Sequence, residues 1–346
     1  MVRDVPIGGG APVVIQSMAN TDTADVEATL AQIGRLHAAG CRIVRLAIPD
    51  EAALLAFRSI RSATNVPLVA DIHFRHTLAI GAIEAGADKV RINPGNIGSE
   101  DRLKMVVDAA KAANIPLRIG VNSGSLEKHI LEKFGSPVPQ ALVESALASI
   151  ALMERFDFRD SIVSIKASDV VTTIEACRLL AAACDVPQHI GITESGTVRS
   201  GSIRSAVGIG ALLADGIGDT IRVSLAGEPI EEIFAAKEIL KCLGLMAGPS
   251  VIACPTCGRT RIDVAGLAAQ VEALVEHLNA PIRIAVMGCA VNGPGEAREA
   301  DIGIAGGSGE ALLFVKGVPV GKVAEGEILD ALREGIEKMT GEKIQE

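Results

Sequence analysis

The chain has 346 residues, a formal net charge of −9, and neither Trp nor Tyr. The acidic balance argues against a general nucleic-acid-binding protein, and the missing aromatic residues remove the usual platforms for stacked bases. The length exceeds that of one typical compact core, so the sequence predicts two domains. No apolar run approaches the roughly 20 residues of a spanning helix, and the first 12 residues lack the apolar region of a signal peptide. We therefore expect a cytoplasmic protein without a membrane partner.

Eight short β-rich runs alternate with longer helical patterns over residues 1–247. The runs are 13–18, 41–48, 67–74, 89–95, 116–124, 161–169, 188–196 and 219–225. The long link after the fifth run, 126–160, predicts two helices that are broken at FGSPVPQ. Regular alternation without a reversal predicts the α/β class, specifically a (β/α)8 TIM barrel.

A second, smaller domain is predicted over residues 250–346. The segment GLMAGPSVIACP (244–255) resembles a linker, because it contains glycine and proline between two patterned regions. A helix, a strand, a loop, another strand, a hairpin and a final helix follow. This order predicts an α+β domain with a mainly antiparallel sheet.

Cationic side chains recur on five of the predicted barrel strands. They are Arg45, Arg91, Arg118, Lys166 and Arg222. In the motifs RIN, KAS and RVS, the i, i+2 spacing places the cation and a small polar neighbour on one strand face. Five converging cations repel one another, so we interpret them as a site for a small ligand with more than one phosphate group. In the alternative interpretation, some of these arginines face outward and pair with helix carboxylates.

Other polar residues stand at the same strand ends. They are His73, Asn93, Asn122, Glu194 and Ser224. An ionised Glu194 among cations is suited to proton transfer, although a structural ion pair with one arginine fits the spacing nearly as well. His73 is either a general acid or ligand donor, or a hydrogen-bonded wall residue.

Three cysteines of the second domain have the spacing of metal ligands. Cys254 and Cys257 form a C-x-x-C pair, and Cys289 follows after 31 intervening residues. The remaining four cysteines, Cys41, Cys177, Cys184 and Cys242, fit small core residues. The fourth ligand is then a polar residue of the loop after Cys289, namely Asn292, Glu296, Glu299 or Asp301. A turn at 293–295 favours Glu296, and a zinc ion remains possible on spacing alone.

Several motifs resemble those of the 4-hydroxy-3-methylbut-2-enyl diphosphate synthase family of the non-mevalonate isoprenoid pathway. They are ACPTCGRT, VMGCAVNGPGEAREADIGIAGG, VRINPGN, IGVNSGSL, GITESG and IRVSL, and the resemblance covers essentially the whole chain in its shorter bacterial form. It implies an iron–sulfur oxidoreductase with one [4Fe–4S] cluster per subunit. The implied cluster ligands are Cys254, Cys257, Cys289 and Glu296.

The resemblance also implies a reaction and its partners. The reaction is the two-electron reductive ring opening of 2-C-methyl-D-erythritol 2,4-cyclodiphosphate to (E)-4-hydroxy-3-methylbut-2-enyl diphosphate, with loss of water. Flavodoxin or ferredoxin supplies the electrons, and the protein is a homodimer in which the barrel mouth of one subunit faces the cluster domain of the other. Glu194 would deliver the proton, and the diphosphate would be held by Arg45, His73, Arg91, Asn93, Arg118, Asn122, Lys166, Arg222 and Ser224.

Two other functions are compatible with parts of the sequence. A zinc-stabilised TIM barrel could act on a phosphorylated or pterin-like substrate without redox chemistry. Arg259 and Arg261 beside the C-x-x-C pair suggest a nucleic-acid module, which the net charge disfavours.

Overall fold

A computed structural model describes residues 1–344 of the chain. The chain divides into two compact units, Met1–Leu245 and Met246–Glu346. In the described part of the chain, no helix is both long enough and apolar enough to span a membrane.

The first unit is a parallel β-barrel. Its strands are β1 (Val14–Met18), β2 (Ile43–Ala47), β3 (Leu68–Asp71), β4 (Lys89–Ile92), β5 (Leu117–Asn122), β6 (Ser161–Lys166), β7 (His189–Ile190) and β8 (Thr220–Ile221). They are arranged in the order β6-β5-β4-β3-β2-β1-β8-β7, and a parallel bridge between Val163 and Gln188 links the two ends. The predicted TIM barrel is confirmed, although β7 and β8 are only two residues long.

Ten helices accompany the barrel strands. They are α1 (Val26–Ala38), α2 (Glu51–Ala63), α3 (His76–Glu84), α4 (Pro94–Ile97), α5 (Glu100–Ala113), α6 (Lys128–Phe134), α7 (Pro139–Arg155), α8 (Val170–Ala183), α9 (Val198–Ala214) and α10 (Pro229–Cys242). The long link holds α6 and α7 on either side of the predicted break, so that prediction is confirmed. Aspartate side chains cap α1, α2 and α8 by accepting a backbone N–H in the first turn.

The two ends of the barrel interior differ in polarity. One end is apolar, where Val2 and Val5 pack against Val14, Ile43 and Val69. These residues lie before their strands or within the first two strand residues, so this amino-terminal end is apolar, whereas the chemistry of a TIM barrel is expected at the carboxyl end.

The second unit, as far as residue 344, contains a five-stranded sheet with three helices. Its elements are β9 (Ser250–Ala253), α11 (Val264–Val275), β10 (Arg283–Met287), α12 (Gly293–Arg298), β11 (Ile302–Gly306), β12 (Glu310–Val315), β13 (Val318–Ala324) and α13 (Ile328–Thr340). The strand order is β13-β12-β11-β10-β9. Helices α11 and α13 pack on the sheet through a core that includes Val271, Ile284 and Leu332.

Three sequence predictions for this unit were wrong in detail. The sheet is mixed, because β10 pairs in parallel with both β9 and β11 while the other two pairings are antiparallel. The segment interpreted as a linker contains strand β9. The turn expected at 293–295 is instead the first turn of α12, with Pro294 near its start, where proline needs no hydrogen-bond partner.

Candidate active site and metal centre

All five predicted cations line one cavity at the carboxyl end of the barrel. The cavity has a volume of about 170 Å³, and its walls are Arg45, Asp71, His73, Arg91, Arg118, Asn122, Ser164, Lys166, Thr193, Arg222 and Ser224. The strand register explains the convergence, because Arg91 lies beside Arg118 on β4 and β5, and Asn122 lies beside Lys166 on β5 and β6. Hence the cavity is strongly cationic and too small for a large ligand.

Two glycines make room for these long side chains. A Cβ atom at Gly120 would lie 2.7 Å from Arg91 Nε, and one at Gly191 would lie 2.3 Å from the backbone oxygen of Arg222 and 3.0 Å from Lys166 Nζ. Any larger residue at either position would displace a cation from the cavity.

Two buried carboxylates hold three of the arginines. Asp71 lies 3.3 Å from Arg91 Nη1 and 3.9 Å from Arg45 Nε. Burial opposes ionisation of Asp71, but Arg45 and Arg91 hold the pKa of this carboxyl well below its usual range. Glu232 pairs with Arg222 at 3.0 Å. The strand-end pattern assigned no role to Asp71, and it could not reveal Glu232, because Glu232 lies on α10.

Lys166 has no such partner, and no carboxylate forms an ion pair with it within residues 1–344. Burial lowers the pKa of Lys166 well below its ordinary value, and the charges of Arg118, Arg222, Arg45 and Arg91 lower it further. The substrate-free cavity therefore disfavours the protonated form of Lys166, and a bound polyanion would favour it.

Binding of inorganic pyrophosphate is therefore expected to draw protons from solution. The ligand raises the pKa of Lys166. Protons are therefore taken up at pH values between the depressed pKa of Lys166 in the unliganded protein and its higher pKa in the complex. The affinity for pyrophosphate increases as the pH falls through this range. Calorimetry in buffers of different ionisation enthalpy, from about pH 6 to pH 10, measures this uptake. Lys166→Arg is the matched control. A guanidinium at position 166 stays protonated with or without ligand, so only the proton uptake by pyrophosphate itself remains. Equal uptake by both proteins would contradict the expectation.

Beneath the cavity, the barrel interior holds a second, fully buried polar layer. Lys89 Nζ donates to Gln16 Oε1 at 3.3 Å, and His189 Nδ1 lies 2.7 Å from Thr220 Oγ1. Burial lowers the pKa of Lys89 and of His189 well below their ordinary values, and nearby Arg118 adds to both shifts. The protonated forms of both residues are therefore disfavoured in this layer.

A second cavity, of about 570 Å³, adjoins the cationic one and shares four of its walls. Its lining is mostly amide and hydroxyl groups: His73, Arg91, Asn93, Asn96, Asn122, Ser123, Gly124, Ser125, Pro137, Ser168, Thr193 and Glu194. The two cavities together contain all ten predicted barrel residues. A neutral, hydrogen-bonding compartment beside a cationic one suits a ligand that carries both hydroxyl and phosphate groups.

Glu194 is the only carboxylate that the described residues contribute to the lining of this second cavity. Its backbone is left-handed, with φ of 52°, which is unusual for a residue other than glycine. The following residue anchors this conformation, because Ser195 Oγ donates to the Ser224 carbonyl and Arg204 Nη1 donates to the Ser195 carbonyl at 3.0 Å. The backbone that carries Glu194 into the cavity is therefore held through its neighbour, and an unusual backbone conformation held in this way is typical of functional sites.

The predicted metal ligands line a cavity of about 410 Å³ in the second unit. Cys254 follows β9, Cys289 follows β10, and Glu296 lies on α12, so three elements bring them to the same edge of the sheet. Among residues 1–344, no three His, Cys, Asp or Glu side chains converge closely enough for a single metal ion. The three thiols and Glu296 line one cavity, and a donor set of three soft thiolates and one carboxylate fits an iron–sulfur cluster by its chemistry.

Backbone N–H groups point at each of the three sulfurs. Gly288 N–H donates to Cys254 Sγ with an N···S distance of 3.1 Å. A backbone hydrogen bond from Arg259 lowers the pKa of Cys257. Backbone hydrogen bonds from residues 291 and 292 likewise lower the pKa of Cys289. Donors of this kind stabilise thiolates, which are the form that binds iron.

The structure separates the four candidates for the remaining ligand. Asn292 and Glu296 line the cysteine cavity, whereas Glu299 and Asp301 do not. Asp301 also has another role, because its Oδ2 accepts the Arg283 N–H at 2.8 Å. Of the two candidates on the cavity, only Glu296 offers an anionic oxygen.

With this geometry established, comparison with known families identifies the chain. The GcpE TIM-barrel domain matches residues 1–237, and the GcpE protein C-terminal domain matches residues 250–338. The chain belongs to the GcpE family. The resemblance seen in the sequence motifs is thereby confirmed over both structural units.

Curated relatives of this GcpE chain match nearly its whole length. One, from Caldanaerobacter subterraneus subsp. tengcongensis, is 56% identical over 338 residues, which cover 97% of this chain and 95% of the relative. Another, from Exiguobacterium sibiricum, is 55% identical over 346 residues, covering 100% and 94% respectively. Both relatives are named 4-hydroxy-3-methylbut-2-en-1-yl diphosphate synthase (flavodoxin).

Proposed function

We propose that this protein is an iron–sulfur oxidoreductase that opens the ring of 2-C-methyl-D-erythritol 2,4-cyclodiphosphate by two-electron reduction. The product is (E)-4-hydroxy-3-methylbut-2-enyl diphosphate. One observation carries the proposal: a single GcpE-family chain combines a cavity lined by five cations with a cavity lined by three cysteines and Glu296. The first suits a diphosphate, and the second suits a redox cofactor.

The cationic cavity has two roles in this reaction. Arg45, Arg91, Arg118, Lys166 and Arg222 bind the diphosphate, while Asn93, Asn122, His73 and Ser224 orient the rest of the molecule. Breaking the carbon–oxygen bond of the ring leaves one more negative charge on the diphosphate. Preorganised cations around that oxygen therefore stabilise the transition state more than the ground state.

Loss of water requires one proton at the departing hydroxyl group. We assign this step to Glu194, which lines the second cavity beside its amide and hydroxyl groups. Overall, the substrate takes up two electrons and one proton, and it releases water and the ring-opened diphosphate. Replacing Glu194 by Gln removes the acid–base group but keeps the shape of the side chain.

Cys254, Cys257, Cys289 and Glu296 would hold one [4Fe–4S] cluster per subunit. When bound, this cluster supplies electrons one at a time. The N–H donors around the cysteines keep them as thiolates, and the softer sulfur ligands contrast with the harder carboxylate oxygen of Glu296.

Metal analysis and turnover test this function together. Full-length protein prepared without oxygen is expected to be brown, to contain about four irons and four sulfides per chain, and to convert the cyclodiphosphate when reduced flavodoxin is supplied. Because the chain has no Trp or Tyr, its absorption reports the cofactor with little protein background. A colourless protein with one zinc per chain and no turnover would instead support the zinc-barrel alternative.

We infer flavodoxin as the electron donor from the names of the relatives, and a cytoplasmic location from the soluble donor and substrate. We also propose a homodimer. Its support is an apolar outer face on α9, where Ile203 and Val207 are 62% and 56% exposed. This face borders an apolar cavity of about 470 Å³ that includes Phe234 of α10.

Charge placed on this face is expected to separate the subunits. Ile203→Glu would put a carboxylate in the proposed interface, so the sedimentation-equilibrium mass should fall from two chains to one. Leu55→Glu is the matched control, since Leu55 is 71% exposed on α2, elsewhere on the barrel. Wild-type protein that sediments as a monomer, or an unchanged mass for Ile203→Glu, would refute this interface.

A further inference from the structure

We propose that Glu232 is a positioning residue for the diphosphate site, acting through the Arg222 guanidinium and the backbone that follows it. Glu232 itself is 3% exposed and is not part of the cavity wall. It can therefore influence a bound phosphate only through the groups that it holds. This inference rests on the proposed function.

Both oxygens of Glu232 are fully used. Oε1 accepts Arg222 Nη2 at 3.0 Å and the Leu225 N–H at 3.2 Å. Oε2 accepts Arg222 Nε at 3.2 Å and Ser17 Oγ at 2.8 Å. An ionised carboxylate has about four acceptor positions, so these four donors occupy all of them.

The paired contact fixes the plane of the guanidinium. Two of the three Arg222 nitrogens face Glu232, and Nη1 lies 4.0 Å from Met18 Sδ, which leaves one Nη1 hydrogen and the second Nη2 hydrogen for a ligand. A guanidinium whose plane is already fixed by a carboxylate loses less rotational freedom when it binds phosphate. Arg222 is 17% exposed on its side chain and lines the cationic cavity, so this preorganised edge faces the ligand.

The same carboxylate fixes the loop between β8 and α10. The Leu225 N–H that Glu232 accepts follows directly after Ser224, whose side chain lines the cavity. Ser17 joins the network from β1, the neighbour of β8 in the barrel. Glu232 therefore links three segments at the point where Arg222 and Ser224 enter the site.

The direction in which Glu232→Gln changes pyrophosphate affinity distinguishes the positioning of Arg222 from a purely electrostatic effect. Glu232→Gln removes a negative charge next to a cationic cavity, which by Coulomb attraction alone would tighten the binding of an anion. Loss of the paired, charge-assisted contact releases Arg222 and the loop, which weakens binding. We expect the second effect to dominate, with affinity for inorganic pyrophosphate about tenfold weaker and KM raised more than kcat is lowered.

Glu232→Asp tests the same geometry at constant charge, and it also serves if Glu232→Gln does not fold. The shorter side chain keeps the carboxylate but cannot reach both Arg222 and Leu225, so pyrophosphate binding should again weaken about tenfold. Glu231→Gln is the matched control, because it makes the same charge change one residue earlier on α10, and its affinity should stay within about twofold of wild type.

A double-mutant cycle on the full-length holoenzyme completes the test. In an Arg222→Gln background, Glu232→Asp should change pyrophosphate affinity less than threefold, because no guanidinium remains to be positioned. Wild-type affinity in both Glu232 variants, tighter binding in Glu232→Gln, or an undiminished Glu232→Asp effect without Arg222 would overturn the proposal. Wild-type protein that neither binds pyrophosphate nor turns over substrate would instead refute the proposed function.

Discussion

Replacing Glu296 by Ala is expected to lower activity by at least about 100-fold while part of the iron remains bound. Substitutions of residues that merely orient metal ligands commonly cost 10- to 100-fold, so losing a ligand should cost more. The three cysteines and their N–H donors are unchanged in this variant, which is why iron should persist. Iron, sulfide and turnover, measured on the same anaerobic preparation, check the expectation.

Glu299→Ala provides the matched control for Glu296. It removes the same charge three residues later, from a side chain that is exposed and does not line the cysteine cavity. Its activity and iron content should equal those of wild type within about twofold. Full activity in Glu296→Ala, or equal losses in both variants, would rule out Glu296 as the fourth ligand.

Glu296→Cys distinguishes a ligand from an acid that acts near the cofactor. A fourth thiolate completes the common set of four cysteine ligands, so the cluster should bind at least as well as in wild type. Turnover should nevertheless fall, because a soft sulfur ligand exchanges less readily than a hard carboxylate oxygen. Wild-type turnover in this variant would show that the oxygen ligand is not required.

The barrel was predictable because its physical signals are local. Parallel strands that are buried on both faces form apolar runs, and the helices between them have their own period, so alternation alone determines the architecture. Aspartate caps such as Asp25 and Asp169 mark where helices begin. The strand ends were overestimated at β7 and β8, because a sequence pattern does not show where ladder pairing stops.

The sheet of the second unit was mispredicted for an identifiable reason. Parallel neighbours require a crossover connection, and helices α11 and α12 supply two of them, between β9 and β10 and between β10 and β11. Strand β9 lies directly before the C-x-x-C pair, in a segment rich in glycine and proline. This composition is typical of a linker, so the strand was not predicted. Had Ser250–Ala253 been recognised, the helix between it and β10 would have predicted the parallel pairing.

The cations of the site were predictable, but their counter-charges were not. Residues at positions i and i+2 share a strand face, so the spacing predicted that Arg91 and Asn93 lie on the same side of the chain at β4. Glu232 reaches Arg222 because α10 packs against β1, the neighbour of β8 in the barrel, and spacing contains no information about that contact. The expectation that an arginine faces either a ligand or a helix carboxylate was too restrictive, since Arg222 does both.

Replacing Arg118 by Met is expected to make the ligand-free protein more stable and to reduce pyrophosphate affinity by more than about 100-fold. Arg118 is 1% exposed, and its Nε and Nη1 have no hydrogen-bond partner among residues 1–344. Burial lowers the pKa of Arg118 well below its ordinary value, and the charges of Arg45 and Arg91 lower it further. Because a guanidinium stays protonated at neutral pH, this unfavourable environment is expressed as lost folding stability.

The expected stabilisation is on the order of 1–4 kcal/mol, the range seen when buried charges are replaced by apolar side chains of similar volume. The order of the unfolding temperatures of wild type and Arg118→Met should therefore reverse when ligand is added. Without ligand, Arg118→Met should unfold at the higher temperature. With pyrophosphate at about 100 times the wild-type Kd, the wild type should gain about 2.7 kcal/mol and the variant almost nothing.

Arg42→Met is the control for removing one positive charge from the barrel. Arg42 is exposed and lies outside the cationic cavity, so neither its stability nor its pyrophosphate affinity should change substantially. If Arg118→Met were less stable than wild type without ligand, the arginine would be a structural element of the barrel core. The reversal in stability order on adding pyrophosphate is the result that identifies it as a binding residue, whose charge is kept in the barrel at the expense of folding stability.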